Sequence, residues 1–193
     1  NGTSATLHLV SGTRHDGLLK STDRGATWAA AAGFPATPSA AGQGVTLLVA
    51  AGRVVYAGWG DSDGTAPNLY RTADGATWEA VPGQPSGTSA RVPIRAAYDR
   101  HTRQLYVTYA DAPGPNGQSD GSVHKLATAN GRWTDVTPVK PGGTTSEGSA
   151  DSFGYGGVAV DARRPGTVVV STNNRWAAVD TLYRTTDGGR SWT

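Results

Sequence analysis

In this 193-residue chain, aspartate is the residue type that first suggests catalysis or metal binding, because it recurs in one repeated stretch. Residues 21–28 return as residues 185–192, and a shortened copy spans residues 72–78. Carboxylates in such positions suit acid–base catalysis or metal binding. A catalytic residue is rarely needed three times at even spacing, whereas an aspartate at the start of a turn accepts hydrogen bonds from backbone N–H groups. The aspartates predicted to brace turns in this way are Asp23, Asp74 and Asp187.

A glycine and a tryptophan complete each turn. The glycine adopts positive φ at low steric cost, and the strand that leaves the turn is predicted to carry the tryptophan inward. A degenerate copy at residues 126–133 keeps the glycine and the tryptophan but has Thr128 in the place of the aspartate. The tryptophans recur at intervals of 50, 55 and 59 residues. The other residues assigned to this structural repeat are Gly25, Trp28, Trp78, Trp133, Gly189 and Trp192.

Short apolar strand patterns surround each turn, and the pattern before the turn ends in a cation. Four strands in a repeat of about 50 residues indicate the blades of a β-propeller. We therefore predict an all-β fold and a single partial propeller over residues 1–193, with open edges covered by further blades or a partner chain. The blade segments are predicted at about residues 1–33, 44–82, 91–138 and 154–193.

Composition excludes several classes of function. Lys and Arg number 17 against 15 Asp and Glu, without the basic stripe that nucleic-acid binding needs. There is no apolar run of bilayer length, so no membrane partner is expected. Cysteine is absent, which excludes disulfides and thiolate metal sites, and no cofactor or metal motif is present. The chain also lacks methionine, even at position 1, so we expect a processed or excised product, which allows for the removal of a secretion signal.

Aromatic residues outside the repeat are the best binding candidates. Trp59 and Trp176 both sit at the exit of a second strand of their blades, and Tyr109 holds the equivalent place in the third blade. Aromatic faces on one rim of a propeller are suited to stacking on sugar rings. The alternative is that these side chains pack between blades.

Carboxylates on the same rim suggest hydrolysis of a glycosidic bond, which needs two of them across the scissile bond. The sequence does not show which pair, if any, faces inward. A calcium loop at residues 61–64 is the weaker alternative, because no bidentate glutamate follows it. The rim carboxylates are Asp61, Asp63, Asp111, Asp120 and Asp180.

Longer stretches resemble a known family, the xyloglucan-cleaving glycoside hydrolase family 74. The repeated turns look like Asp boxes (BNR repeats), which sialidases and several other protein families share. The more specific matches to the first propeller of family 74 are residues 105–115, 131–138, 153–161 and 171–176.

The resemblance implies part of a seven-bladed propeller within a secreted bacterial hydrolase. The family is inverting and cleaves xyloglucan or related β-1,4-glucans in a cleft between two propellers, each of which supplies one catalytic aspartate. By this resemblance both catalytic positions lie outside residues 1–193, so no catalytic residue is assigned. The partner is a polysaccharide or oligosaccharide. Residues matching the sugar-binding face are Tyr155, Arg175 and Trp176.

Two departures favour an alternative function. Residues 91–94 read Arg-Val-Pro-Ile where the family has a Pro-His-His-like stretch, and Ala177 replaces a second aromatic residue after Trp176. The alternative is a non-catalytic propeller module that binds carbohydrate or protein.

Overall fold

A computed structural model describes residues 6–8, 17–34, 42–61, 67–114, 117–142, 151–174 and 181–193. These residues form four antiparallel sheets, in which strands that are consecutive in sequence are hydrogen-bonded neighbours. The first sheet contains β1 (Thr6–His8), β2 (Leu19–Ser21) and β3 (Ala29–Ala30). The second contains β4 (Gly42–Ala51), β5 (Val54–Asp61), β6 (Leu69–Thr72) and β7 (Glu79–Ala80).

The third and fourth sheets follow the same plan. The third contains β8 (Val92–Asp99), β9 (Gln104–Ala110), β10 (Gly121–Ala127) and β11 (Arg132–Asp135). The fourth contains β12 (Gly154–Val160), β13 (Val168–Asn173) and β14 (Leu182–Thr185). One short 3-10 turn, Thr88–Ala90, precedes β8. The prediction of an all-β fold of antiparallel sheets is confirmed: among the described residues, the second and third sheets have four strands and the first and fourth have three. No helix of the described residues has the length and apolarity needed to cross a membrane.

The sheets pack against one another in sequence order. Strand β8 contacts β4 and β5 of the second sheet and β12 of the fourth. Three apolar clusters fill the spaces between neighbouring sheets. Each cluster contains one equivalent residue of the repeat, which lies two positions before the Lys or Arg that ends the strand pattern ahead of each turn. Burial of such an aliphatic side chain contributes about 1.5–3 kcal/mol to stability. The residues in question are Leu18, Leu69 and Val123, which are 2%, 0% and 0% exposed.

The repeated turns at residues 21–28, 72–78 and 185–192, here called the repeat turns, are closed by side-chain hydrogen bonds. Asp23 Oδ1 accepts from the Thr27 N–H at 2.9 Å and Asp23 Oδ2 from the Thr27 hydroxyl at 2.6 Å. Asp187 makes the same two contacts to Ser191, at 3.0 and 2.6 Å. In the shortened turn Asp74 Oδ1 accepts from two backbone N–H groups at 2.8 Å. Each carboxylate thus holds its turn closed.

A buried hydroxyl at the first position of each repeat turn completes the brace, and it was not foreseen from the sequence. The hydroxyl of Thr185 donates to Asp187 Oδ1 at 2.7 Å and accepts the Gly189 N–H at 2.9 Å. Ser21 and Thr72 occupy the same position in the other two turns. The signal was present as a Ser or Thr two residues before each aspartate.

The repeat tryptophans differ in exposure. Trp78 is buried and lies edge-on to Phe34, with ring centroids 5.1 Å apart, whereas Trp28 is 37% exposed. The expectation that every repeat tryptophan points inward is therefore wrong for Trp28. Trp78 is covered by the residues that follow β3 of the preceding sheet, and no described sheet precedes the one that carries Trp28.

The repeat turns are expected to make stability depend on pH in the acid range. Hydrogen bonds from the Thr27 hydroxyl, the Thr27 N–H and the Ser21 hydroxyl lower the pKa of Asp23 to about 2, and hydrogen bonds led by the Ser191 hydroxyl lower the pKa of Asp187. Because these folded-state pKa values lie below those of the unfolded chain, the stabilisation is complete above about pH 4 and is lost as the pH falls towards 2. Urea unfolding midpoints across this range measure the loss.

Ser191→Ala provides the matched control for the same prediction. Removal of the hydroxyl bond to Asp187 is expected to raise the pKa of that carboxyl, which NMR titration of the carboxyl carbon would show. An Asp187 that titrates at its ordinary pKa in the wild-type chain would contradict the proposed brace.

Candidate functional site

An open groove of about 440 Å³ lies between the third and fourth sheets and is the best candidate for a binding site. It is found where β8 and β12 begin and β9 and β13 end, which is the end of the sheets opposite the repeat turns. We call it the rim groove. Its lining includes Arg95, Pro113, Gly114, Gly156, Ser171 and Asn173.

Small residues keep the rim groove open. The pairing of β12 with β13 shifts register between Tyr155 and Gly157, so Gly156 is left in a bulge. A Cβ on Gly156 would lie 3.0 Å from the Asn173 Cβ, and one on Gly157 would lie 2.7 Å from the Ser171 Oγ. Because Gly157 N–H donates to the Ser171 Oγ at 3.0 Å, the bulge is held in place by a hydrogen bond. Bulges of this kind redirect side chains near functional sites.

Arg95 supplies the charge of the rim groove. One of its terminal nitrogens donates to the carbonyl oxygens of Ile94 at 2.8 Å and Thr46 at 3.3 Å, and the side chain is exposed. A guanidinium has five N–H donors, so donors remain for a ligand oxygen. Sequence reasoning missed Arg95, although a cation directly after the apolar residues 92–94 of β8 was a usable signal.

Three of the aromatic residues proposed from the sequence are core residues in this structure. Trp59 is 5% exposed and packs in the cluster with Phe34, whose ring centroid is 6.2 Å away. Tyr109 and Tyr155 are fully buried. The expectation that these three side chains present open aromatic faces is therefore wrong. The alternative noted from the sequence, packing between sheets, matches their burial, because strand alternation directs them to the covered faces of their sheets.

Tyr155 has a specific structural partner. Its hydroxyl donates to the Val139 carbonyl at 2.6 Å and accepts the Val139 N–H at 3.2 Å. Burial raises the pKa of Tyr155, so the phenol stays protonated and able to donate. The side chain ties the segment that follows β11 to the start of β12, and it thereby positions one side of the rim groove.

Replacement of Tyr155 by phenylalanine is expected to destabilise the chain by about 1–3 kcal/mol, because both backbone groups of Val139 lose a partner. Tyr109→Phe is the matched control: the Tyr109 hydroxyl is buried and has no hydrogen-bond partner among the described residues. Its removal is expected to be neutral or stabilising. Urea unfolding of both variants tests the difference, and an equal loss of stability would contradict the assigned role of Tyr155.

Arg175 and Trp176 lie outside the described residues. The residues that flank them are well anchored: the Thr172 N–H donates to the Thr181 carbonyl at 3.0 Å, and the Thr181 N–H donates to the Thr172 Oγ1 at 2.9 Å. The Asn174 side-chain amide donates to the Ser152 carbonyl. Thr172 and Asn173, which shortly precede Arg175 and Trp176 in the sequence, line the rim groove.

The rim carboxylates whose side chains are described are Asp111 and Asp120. Asp111 accepts from the Ser119 N–H at 2.9 Å and from the Ser119 hydroxyl at 2.6 Å, so it closes its own loop. Asp120 accepts the Gly121 N–H at 2.8 Å, and burial raises its pKa. Asp63, Asp180 and the side chain of Asp61 lie outside the described part. Within the described residues, no three His, Cys, Asp or Glu side chains are grouped as metal ligands.

Comparisons with known proteins give consistent relatives. No family model matches the chain. It is 38% identical to a xyloglucanase of Paenibacillus sp over 92% of this chain and 18% of that protein. It is 35% identical to a xyloglucanase of Hypocrea jecorina (strain QM6a), over 92% of this chain and 22% of that protein.

Solved structures agree with the sequence relatives. The GH74 xyloglucanase from Xanthomonas campestris superposes with a TM-score of 0.73 at 32% identity, over 94% of this chain and 27% of the other. The Niastella koreensis GH74 enzyme gives a TM-score of 0.74 at 30% identity, over 100% and 28%. The chain spans about a fifth of the length of the curated relatives it matches.

Proposed function

Since the chain is a xyloglucanase-type sequence of glycoside hydrolase family 74, we propose that it forms one wall of a xyloglucan-binding cleft in a longer, secreted hydrolase. The observation that carries the proposal is the rim groove, whose lining residue Asn173 lies two positions before Arg175 in the sequence. The repeat turns, which we propose to be Asp boxes, lie at the opposite end of the sheets and serve the scaffold.

The chemistry of the rim groove suits a polysaccharide. Sugar hydroxyls need donors and acceptors, which the Arg95 guanidinium and the Asn173 side chain provide. Glycine and serine at the groove floor leave room for a branched chain. Trp176 adds an apolar surface for one face of a sugar ring. The groove is a surface depression and not an enclosed cavity, so a stretch of an extended sugar chain can lie in it.

Hydrolysis needs two opposed carboxylates, and we propose that neither comes from residues 1–193. An inverting mechanism places its two carboxyl groups about 6.5–9.5 Å apart so that a water fits beneath the sugar. Of the described rim carboxylates, Asp111 is engaged by Ser119, which leaves it unsuited to general acid or base work. The chain therefore binds and orients the substrate for carboxylates supplied by the rest of the protein.

A paired assay tests whether this chain binds the substrate while the rest of the protein supplies the catalytic carboxylates. The 193-residue chain alone is expected to bind a xyloglucan oligosaccharide in calorimetry and to release no reducing ends from xyloglucan. The longer protein that contains it is expected to release reducing ends, with inverted anomeric configuration by NMR. If the chain fails to bind xyloglucan, the proposal fails.

The non-catalytic binding module is the second candidate, and the burial of Val92 and Ile94 favours it. These residues stand where the family has a Pro-His-His-like stretch, and together with Ala110 they form a small apolar cluster. Apolar side chains at this point offer a substrate no hydrogen-bonding or proton-transfer group, even though Ile94 lines the rim groove. Binding without hydrolysis in the longer protein would support this second function and exclude the first.

A further inference from the structure

The end of the third and fourth sheets that lies opposite the rim groove is rich in arginine. Four connections meet the surface there: residues 100–103 between β8 and β9, residues 128–131 between β10 and β11, residues 161–167 between β12 and β13, and residues 186–191 of the last repeat turn. Six exposed arginines lie in these connections or directly beside them. We call this surface the basic end, and its arginines are Arg100, Arg103, Arg132, Arg163, Arg164 and Arg190.

Hydrogen bonds bring the connections of the basic end together. The Gly166 N–H donates to the buried Asp99 Oδ2 at 2.8 Å, which joins the fourth sheet to the third. The Gly166 carbonyl accepts the Gly188 N–H of the last repeat turn at 2.9 Å. The Nε2 atom of His101 lies 3.0 Å from the Ala162 carbonyl oxygen, directly before the arginine pair at residues 163–164. Three of the four connections are thus in direct contact.

The connection between β10 and β11 belongs to the same surface. The Thr128 N–H donates to the Arg103 carbonyl at 3.1 Å. Lys125, near the end of β10, is close to two of the arginines: burial and then the like charges of Arg190 and Arg132 lower the pKa of Lys125. The cations of all four connections therefore contribute to one continuous positive potential.

The positive charge of the basic end is not neutralised within the described part of the chain. The two ion pairs found there join Arg71 to Glu79 and Lys140 to Asp135, so neither involves an arginine of the basic end. Together with Lys125, seven cations stand against three carboxylates at this end. Each of these carboxylates already accepts backbone N–H groups, and they are Asp99, Asp161 and Asp187.

Composition alone does not reveal this surface. The formal net charge of the chain is only +2, and the six arginines are spread over residues 100–190, where only Arg163 and Arg164 are adjacent. The fold concentrates them, because alternate connections of an antiparallel sheet lie at the same end. A patch of one sign on a nearly neutral chain marks a site for a partner of the opposite charge.

The side chains of the basic end limit the kind of anion that fits. A guanidinium recognises a carboxylate or phosphate through two parallel N–H donors. The four connections contain no Phe, Tyr or Trp, so the base stacking that holds single-stranded nucleic acid has no platform here. They also contain no helix or β-ribbon to enter a duplex groove, and their apolar side chains are only Ala and Pro, which are too small to anchor in a membrane.

We propose that the basic end binds an acidic polysaccharide whose sugars carry carboxylates, such as a polyuronate. Carboxylates along the extended sugar chain pair with the guanidinium groups of successive connections. Strands of seven or eight residues, roughly 25 Å long, separate this site from the rim groove, so both can be occupied at once. The proposal does not depend on xyloglucan binding, because the two sites share no residue.

Binding of polygalacturonate to the 193-residue chain tests the proposal. We expect binding at about 50 mM NaCl that weakens about 10-fold when NaCl is raised to about 200 mM, because exposed charges are screened. The double variant Arg163→Gln and Arg164→Gln is expected to weaken binding by a further factor of about 10 at the lower salt concentration. Both side chains are exposed, so its thermal unfolding midpoint should match that of the wild-type chain.

A matched double variant at the other end of the sheets is the control. Arg91→Gln with Lys140→Gln removes the same net charge near the rim end and should leave polygalacturonate affinity unchanged. Equal losses in the two double variants, or no binding by the wild-type chain, would overturn the proposal. So would tighter binding to a DNA duplex of about 20 base pairs or to phosphatidylserine vesicles than to polygalacturonate. Xyloglucan oligosaccharide binding, measured in parallel, reports on the rim groove separately.

Discussion

Replacement of Trp176 by alanine is expected to weaken binding of a xyloglucan oligosaccharide by roughly 10- to 100-fold. One face of an indole ring buries on the order of 100 Å² of apolar surface against a sugar, worth about 2.5 kcal/mol. Thr172 and Thr181, on either side of this segment, are joined by one backbone–backbone hydrogen bond and by one from the Thr181 N–H to the Thr172 Oγ1. The unfolding midpoint is therefore expected to stay within error of the wild-type value, while calorimetry records the lost affinity.

Trp192→Ala is the matched control for this prediction. Trp192 belongs to the repeat and packs against the cluster between the third and fourth sheets, which contains Val136 and Tyr155. Its removal leaves a cavity and is expected to lower the free energy of unfolding by about 2–4 kcal/mol. Binding per folded molecule should be unchanged. If the two variants lost affinity and stability in equal measure, the distinction between rim and repeat tryptophans would be wrong.

Replacement of Leu69 by alanine is expected to lower the free energy of unfolding by about 2–5 kcal/mol, the largest effect on stability that we predict. Leu69 is fully buried between the second and third sheets, where it lies with Leu105, Val107 and Tyr109. The loss combines the transfer free energy of the deleted methyl groups with the cavity left among rigid strands. Urea denaturation of the purified chain measures it.

Leu182→Ala removes the same atoms at the equivalent position of the fourth sheet and is the control. Because Leu182 is 71% exposed in this chain, the change is expected to stay within about 0.5 kcal/mol. A loss at position 182 as large as that at position 69 would show that the outward face of β14 is already covered in solution.

The repeat made most of the fold predictable. The apolar run at residues 45–50 and the pattern at residues 54–59 became β4 (Gly42–Ala51) and β5 (Val54–Asp61), because long buried strands leave a strong pattern. The outer strands were harder. A strand expected to begin at Trp78 pairs only over Glu79–Ala80, since the preceding residues make the hydrogen bonds that close the turn. Short strands next to side-chain braces are thus overestimated by their pattern.

The site was less predictable, because burial depends on contacts between distant segments. The place of Trp59 near the end of a strand was evident, yet its ring packs against Phe34, a residue that precedes both β4 and β5 in the sequence. The bulge at Gly156 results from the register between β12 and β13, and the local sequence at Gly156 and Gly157 does not specify that register. Lys20 Nζ donates to the Gly75 carbonyl, and although both residues belong to the repeat, this contact depends on the packing of one sheet on the next. Among the site residues, Arg95 had the clearest signal in the sequence, because it is a charged residue within the mostly apolar strand β8.

A crystal structure of the chain with a bound xyloglucan oligosaccharide tests the central claim most directly. We predict a glucan backbone along the rim groove, with sugar hydroxyls within 3.2 Å of the Arg95 guanidinium or the Asn173 side chain and one ring stacked on Trp176. An oligosaccharide bound at the repeat turns, or elsewhere with the rim groove empty, would contradict the assignment of this groove as the substrate-binding wall.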